Sequence, residues 1–441
     1  MNDRRSTICL LAVAGTLVAI VSVAPQTSAL AITGVNVVDV INGGIVPNTT
    51  VTISGATITS VTPNARPPAD ARVVDGRGRF LIPGLWDMHS HMEASGEAWL
   101  PLYVANGVTS IRDMGSNVEV ILKMRDHTAS GRVVGPRVFA AGPILDDAPG
   151  EWPLRMRVKT AADGTSAVQL LKRRGVDLIK VHNFTPRDVY FAIAEEARRQ
   201  NLPLAGHVPL RVTTEEAIEA GQRSIEHFSE SRLWMQCSGG STYQPEACAP
   251  LFRMLASRGV WQTPTLLAMS ELATIGTAAS SVRAEQLVYA TKSARAMWAG
   301  NQSMFAAKPE AVRIFKQRAE VAVAVTGDMA KAGVGILTGC DSMIAGFCVH
   351  DEGAAMVRGG LTPLAALQTA TLNPARYFGL SQTAGSIGSG RRADLVLLDA
   401  NPLTDIGNVQ RIRAVVLGGR FLDRKELDIL LAQAKTAAHQ Q

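Results

Sequence analysis

No block of like charge runs through the 441 residues, and the net charge is only +6. Without a basic stripe interleaved with aromatics, nucleic acid is excluded as the expected partner. Low-complexity tracts are missing, and 46% hydrophobic against 19% charged residues is an ordinary globular balance. Past residue 24 no segment is apolar for long enough to span a bilayer. Internal repeats are absent beyond an alternation of short strands and helices. Cysteine is scarce, with five residues. Cys9 lies in the first segment, leaving Cys237, Cys248, Cys340 and Cys348 for the body of the chain. Such a length excludes a single small domain and allows a large core.

What is present begins with a three-part N-terminus. Arg4 and Arg5 precede an apolar run over 8–24, and Ala29-Leu30-Ala31 follows as a small-x-small site. This is the pattern of an export signal over residues 1–31, which predicts a periplasmic or secreted protein. The alternative is an uncleaved N-terminal anchor, because 17 apolar residues approach the lower limit for spanning. After cleavage no membrane association is expected, and a homo-oligomer stays open. Export permits disulfides. Cys237 and Cys248 flank the loop "SGGSTYQPEA", so a local bridge between them is expected, although spacing alone does not fix connectivity. Cys340 reads as a small buried apolar residue rather than a nucleophile.

From residue 32 the texture is β-like: "AITGVNVVDV", "TTVTISGATITSV" and "ARVVDGRGRFLI" are rich in Val, Thr and Ile with Gly and Asn breaks. From residue 83 short strands alternate with helical patterns such as "PRDVYFAIAEEARRQN". Candidate strands cover 81–89, 108–113, 137–141, 177–182, 204–207, 224–227, 260–265 and 334–341. Eight strands alternating with helices predict an α/β fold, a (β/α)8 TIM barrel over 83–384. The β-like texture returns over 385–423, and a terminal helix is expected over 424–441. Neither β flank can bury a core alone. The two, 32–82 and 385–423, are therefore expected to form one small β-sandwich.

The polar residues at the strand ends carry the chemistry. His89 and His91 stand two apart, and on a strand i and i+2 share a face, so both imidazoles can meet one metal. Lys180 sits inside the apolar "VDLIKVHNF", where a cation is costly to bury. It is either a snorkelling surface lysine or a lysine that CO2 converts to an anionic carbamate. His207, His227 and Asp341 close the strands "LPLAGH", "RSIEH" and "GVGILTGCD". Singly they read as core histidines and a helix N-cap. Jointly, ligand-type residues end strands one, four, five, six and eight, and in a barrel those ends converge on one mouth. His127 and His439, on polar stretches, read as surface residues.

These stretches resemble the amidohydrolase superfamily. The matching pieces are "IPGLWDMHSHM", "GVTSIRDMG", "GPRVFAAG", "DLIKVH", "GHV", "SIEHF", "GILTGCD", "LTPLAALQTATLNPARYFG" and "GSIGSGRRADLVLLDANPLTDI". Among subgroups the chain looks most like exported imidazolonepropionase-like and Xaa-Pro dipeptidase-like members. The resemblance implies two divalent metal ions, usually Zn2+. His89, His91 and Asp341 would hold the more buried one and His207 and His227 the other, with carboxylated Lys180 bridging. It further implies hydrolysis of a small-molecule amide, a dipeptide such as Xaa-Pro or an N-acyl amino acid. Asp341 would act first as general base, then as general acid. Relatives often carry an aromatic residue where this chain has His182, which would share a face with Lys180 and face substrate. His350 in "GFCVHDEG" would contact substrate or start a helix. The loops 229–250, with Trp234 and Tyr243, and 266–309 would set specificity, the latter as a lid. Rival readings are a cyclic-amide hydrolase, a lactonase or esterase, a deaminase, which would not need Lys180, and a non-catalytic binding protein on the same fold.

Overall fold

A computed structural model describes residues 29–440 apart from 93–95, 229–232, 234–235, 238–241, 275–283, 293, 297–298, 301–302, 304–306, 343 and 345. The chain opens with β1 (Leu30–Val38), β2 (Ile45–Ser54), β3 (Thr57–Pro63), β4 (Arg72–Asp75) and β5 (Phe80–Pro83). Their Val, Ile and Thr content favours the pleated, half-buried surface they form. β1 begins inside the stretch read as an export signal; residues 1–28 of that signal lie outside the described residues. Near the C-terminus come β16 (Leu395–Leu398), β17 (Ile412–Leu417) and β18 (Arg420–Asp423). The flanks meet where β16 pairs antiparallel with β5, from Leu395 opposite Pro83 to Leu398 opposite Phe80. The result is one sheet in the order β18-β17-β16-β5-β1-β2-β3, with β4 branching off β1. Ile32, Val51, Ile53, Leu81, Leu395 and Val416 form its own core.

One residue separates this sheet from the next layer. Gly84 lies so close to Thr109 that a Cβ there would meet Oγ1 at 2.1 Å, so only glycine makes the passage from β5 to β6 (Leu85–Ser90). β6, β7 (Val108–Asp113) and β8 (Arg137–Ala140) form a parallel sheet. The strands β9 (Ile144–Asp146), β10 (Arg155–Arg157), β11 (Ile179–Val181), β12 (Leu204–Gly206), β13 (Gln222–Glu226), β14 (Trp261–Thr263) and β15 (Gly335–Ile336) form another, in the order β10-β9-β11-β12-β13-β14-β15. Hydrogen bonds link the two sheets in two places, beyond β15 and at the entry to β11. The Met88 N–H donates to Thr338 O (2.8 Å), and the Asp177 N–H to Ala140 O (2.8 Å). Parallel strands, helices between them and these links are what a TIM-barrel-like fold requires.

All eight expected strands are present, the first divided at Gly84 and the last reduced to two residues. β9 and β10 were not expected; they lie in the loop after β8. The helices carry their own start signals. Thr160 and Asp163 form a capping box at Ala161–Arg174, and Thr213 and Glu216 another at Thr214–Glu219. On Arg187–Arg199 the residues Val189, Tyr190, Ile193 and Ala197 make the buried stripe. No described helix is long and apolar enough to cross a membrane.

Candidate active site

The strand ends place the ligand-type residues. His89 lies in β6 and His91 just beyond it; Lys180 is the middle residue of β11; His207 and His227 directly follow β12 and β13. Asp341 follows β15 after four residues of irregular chain, tied back by its N–H to His89 O (2.8 Å). All six line one cavity of about 230 Å3, together with Ile144, Trp152, Leu154 and His182. Ring centroids are 4.5 Å apart for His89 and His227, 4.8 Å for His207 and His227, and 5.4 Å for His89 and His91. The Asp341 carboxylate sits between two of the imidazoles, with Oδ1 3.5 Å from His91 Nε2 and Oδ2 3.6 Å from His227 Nε2. His89, His227 and Asp341 bring one donor atom each to within 4.8 Å of the others.

Each of the four histidines is held from behind through Nδ1. His89 Nδ1 donates to Glu226 Oε2 (3.0 Å) and His91 Nδ1 to Gly115 O (3.0 Å). His207 Nδ1 donates to Asn183 Oδ1 (2.9 Å). His227 Nδ1 donates to Thr265 Oγ1 (2.7 Å), whose own hydroxyl is given to Pro264 O (2.8 Å). Four acceptors thus fix one tautomer in all four rings, with the proton on Nδ1 and the lone pair on Nε2. Behind His89 the support is ionic. Glu226 receives Arg112 Nη2 on both oxygens (2.9 and 2.8 Å) and the Ser224 hydroxyl (2.6 Å). Arg112 donates also to Met88 O (2.6 Å) and Ser224 Oγ (2.9 Å), and every atom of this cluster is buried.

The backbone is strained where the site needs it. Among the described residues, six other than glycine have positive φ, and three belong here: His227 (57°), Thr265 (49°) and Asp341 (47°). Left-handed backbone at such residues costs on the order of 1–3 kcal/mol each and clusters at functional sites. Gly206, at φ 129°, presses against β11; a Cβ would meet Val181 O at 2.1 Å. Glycine there lets His207 reach the same mouth as Lys180.

Burial sets the protonation states. It drives His89, His207 and His227 well below the ordinary 6.5, reinforced by Lys180 and by one another. His91 is also lowered by burial. His182 falls to about 3, through burial and then Lys180. Burial lifts Asp341 to about 7 against the pull of Lys180. Asp87 also rises to about 7, although its Oδ1 accepts the N–H groups of His89 and Cys340 (both 3.0 Å). For a histidine lowered on folding, the unfolded chain binds the proton first. Its stabilisation is therefore complete above pH 6.5 and is lost as pH falls from 6.5 toward the folded value. His182→Asn should flatten this limb: its fall in Tm between pH 7 and pH 4.5 should be about 1–3 °C smaller than the parent's. Equal falls in a thermal scan would place the His182 proton elsewhere.

Neutral imidazoles presenting Nε2 are what a divalent cation requires, and held Nδ1–H groups are the usual outer support of histidine ligands. His89 Nε2 is buried with no hydrogen-bond partner, an orphan that a cation would satisfy. The residues present therefore fit a metal centre. The amidohydrolase family model matches residues 80–422. The chain belongs to the amidohydrolase family. An ochratoxinase of Aspergillus niger is 27% identical over 408 residues, covering 76% of this chain and 73% of its own. A prolidase complexed with N-methylphosphonate-L-proline superposes with a TM-score of 0.68 at 23% identity, covering 90% of this chain and all of its own. A bottromycin amidohydrolase reaches 0.76 at 24% identity, covering 93% and 90%.

Within this amidohydrolase the sequence-derived set is brought together except for His350. Of its two readings the helix start holds: His350 is buried in the first turn of the helix Cys348–Arg358 and is not among the cavity-lining residues. His182 does line the cavity, its ring 4.0 Å from His207. Cys340 is not a lone apolar residue; it is bonded to Cys348. Cys237 and Cys248 are bonded as expected. His127 is half-buried rather than on the surface, and donates to Glu97 (2.7 Å). Trp234 and much of 275–306 lie outside the described residues, while Tyr243 bonds Asp328 (2.8 Å), a residue outside the cavity lining. Sequence reasoning missed Glu226, Arg112, Asn183, Thr265 and Asp87. Asp87 and Glu226 carried a signal, a carboxylate in a strand within two residues of a candidate ligand histidine; the others carried none.

Proposed function

We propose that the protein is an exported, binuclear metal-dependent hydrolase of amide bonds. The observation that carries this is the common tautomer: four imidazoles, each with Nδ1 engaged behind it, around one buried lysine and one carboxyl of pKa about 7. His89, His91 and Asp341 would hold one ion and His207 and His227 the other, with Lys180 carboxylated between them. A closed (β/α)8 barrel, with the β flanks as a sandwich beneath it, is the frame proposed for this site. Two disulfides support export to an oxidising compartment.

When bound there, divalent ions, zinc being the expected metal, would supply a water of lowered pKa and polarise a carbonyl. The chain's own residues do the rest. Asp341 takes the proton of the attacking water on one carboxyl oxygen. It then gives it to the nitrogen as the C–N bond breaks, because an amine leaves only when protonated. Ile144, Trp152 and Leu154 wall one side of the cavity and favour an apolar group on the substrate. A dipeptide such as Xaa-Pro or an N-acyl amino acid fits these walls, and the prolidase relative supports the first.

The test is a hydrolysis screen on zinc-loaded protein reconstituted with bicarbonate, covering Xaa-Pro and other dipeptides, N-acyl amino acids, cyclic amides and lactones. Amide turnover with close to two ions per chain is expected. Fast lactone turnover without amide turnover would move the reading to a lactonase. Less than one ion per chain would move it to a binding protein.

A further inference from the structure

The strained backbone at His227, Thr265 and Asp341 needs something to hold it, and the supports converge on one helix. Cys348, the first residue of the helix Cys348–Arg358, is bonded to Cys340, the residue before Asp341, with the two Cα atoms 5.7 Å apart. Its N–H bond to Asp87 Oδ1 (3.0 Å) then fixes Cys340 against the strand that carries His89. One turn along the helix, Glu352 is fully buried. Its two carboxyl oxygens accept the N–H groups of Leu266 (2.7 Å) and Leu267 (2.8 Å), the residues that follow Thr265. Thr265 in turn orients His227 through its hydroxyl. The same helix therefore reaches Cys340, the neighbour of Asp341, through a covalent bond and His227 through a short chain of hydrogen bonds. Asp341 and His227 are also two of the three donors gathered most closely in the cavity.

We propose that the helix Cys348–Arg358 is the positioning element of the metal centre, with the Cys340–Cys348 bridge setting Asp341 and Glu352 setting His227. None of Cys340, Cys348 and Glu352 lines the cavity; they act through the donors they hold. The inference rests on the metal-site reading above. It gives the second disulfide a role that the first, which joins Cys237 to the helix Pro245–Ser257, does not share.

The experiment uses the full mature chain loaded with zinc and follows transfer of zinc to a colorimetric chelator, alongside kcat and KM on whichever substrate the screen yields. Cys340→Ser/Cys348→Ser and, separately, Glu352→Gln should release zinc about 10–100-fold faster than the parent, as expected for loss of outer support. Their kcat should fall while KM stays within about threefold, a split that general loosening of the fold would not give. Cys237→Ser/Cys248→Ser should release zinc at the parent rate. Should the bridgeless chain fail to fold by circular dichroism, Glu352→Gln carries the test alone. Parent-like release and kcat in the folded variants would overturn the inference and leave the metal-site reading standing. A parent protein that binds no zinc would overturn both.

Discussion

Asp341→Asn should lower kcat about 10²–10⁴-fold, the range for loss of a positioned general base and acid. The argument is local. Among the described residues Asp341 is the only carboxyl that lines the cavity, and its oxygens lie 3.5 and 3.6 Å from the Nε2 atoms of His91 and His227. Burial holds its pKa near 7, so at neutral pH it can both accept and return a proton. Asparagine has the same shape and keeps one oxygen donor, but it carries no transferable proton. Zinc content should therefore stay near the parent value and KM should change little, with the loss confined to kcat. Stopped assays on metal-loaded protein, paired with metal analysis of the same sample, make the measurement. A variant with parent-like kcat would remove Asp341 from proton transfer, and a variant without zinc would make it a ligand first.

The donors were legible in the sequence because a strand exposes a misplaced polar residue. His207 and His227 each terminate a short apolar run, and Lys180 interrupts one, so each stood out against period-two burial. The strand ends of a parallel α/β fold all point one way, which turned separate anomalies into a single site. What holds the donors was not legible, for a different reason. Arg112 and Glu226 stand 114 residues apart and meet only because β7 and β13 both contribute to the same interior. Asn183 and Thr265 are ordinary loop residues in sequence, and their value is positional. The Cys340–Cys348 bridge was hidden because Cys340 lies within a strand-like apolar stretch while Cys348 opens a helix. For His350 the sequence left two readings open, substrate contact and helix start; it is the third residue of the helix Cys348–Arg358, which turns it into the interior.

The largest effect on stability should come from Arg112→Met. Arg112 is fully buried, bonded to both oxygens of Glu226, and lies 5.1 Å from the Tyr377 ring centroid. Methionine fills much of the volume but leaves Glu226 as a buried carboxylate facing only Ser224 and His89. Breaking one partner of a buried ion pair costs about 3–5 kcal/mol, because the remaining charge is uncompensated. The same Glu226 carboxylate also accepts His89 Nδ1 (3.0 Å) and orients that ring. A second substitution separates the two consequences. In Arg112→Met/Glu226→Gln the stranded charge is gone, so denaturant unfolding should recover a large part of the lost stability. Activity should not recover with it: an amide orients the His89 ring less firmly than a carboxylate, and loss of that support costs about 10–100-fold. A single variant within about 1 kcal/mol of the parent would mean that the pair is not buried as described. Full activity in the double variant would mean that Glu226 stabilises the interior without an orienting role at the His89 ring.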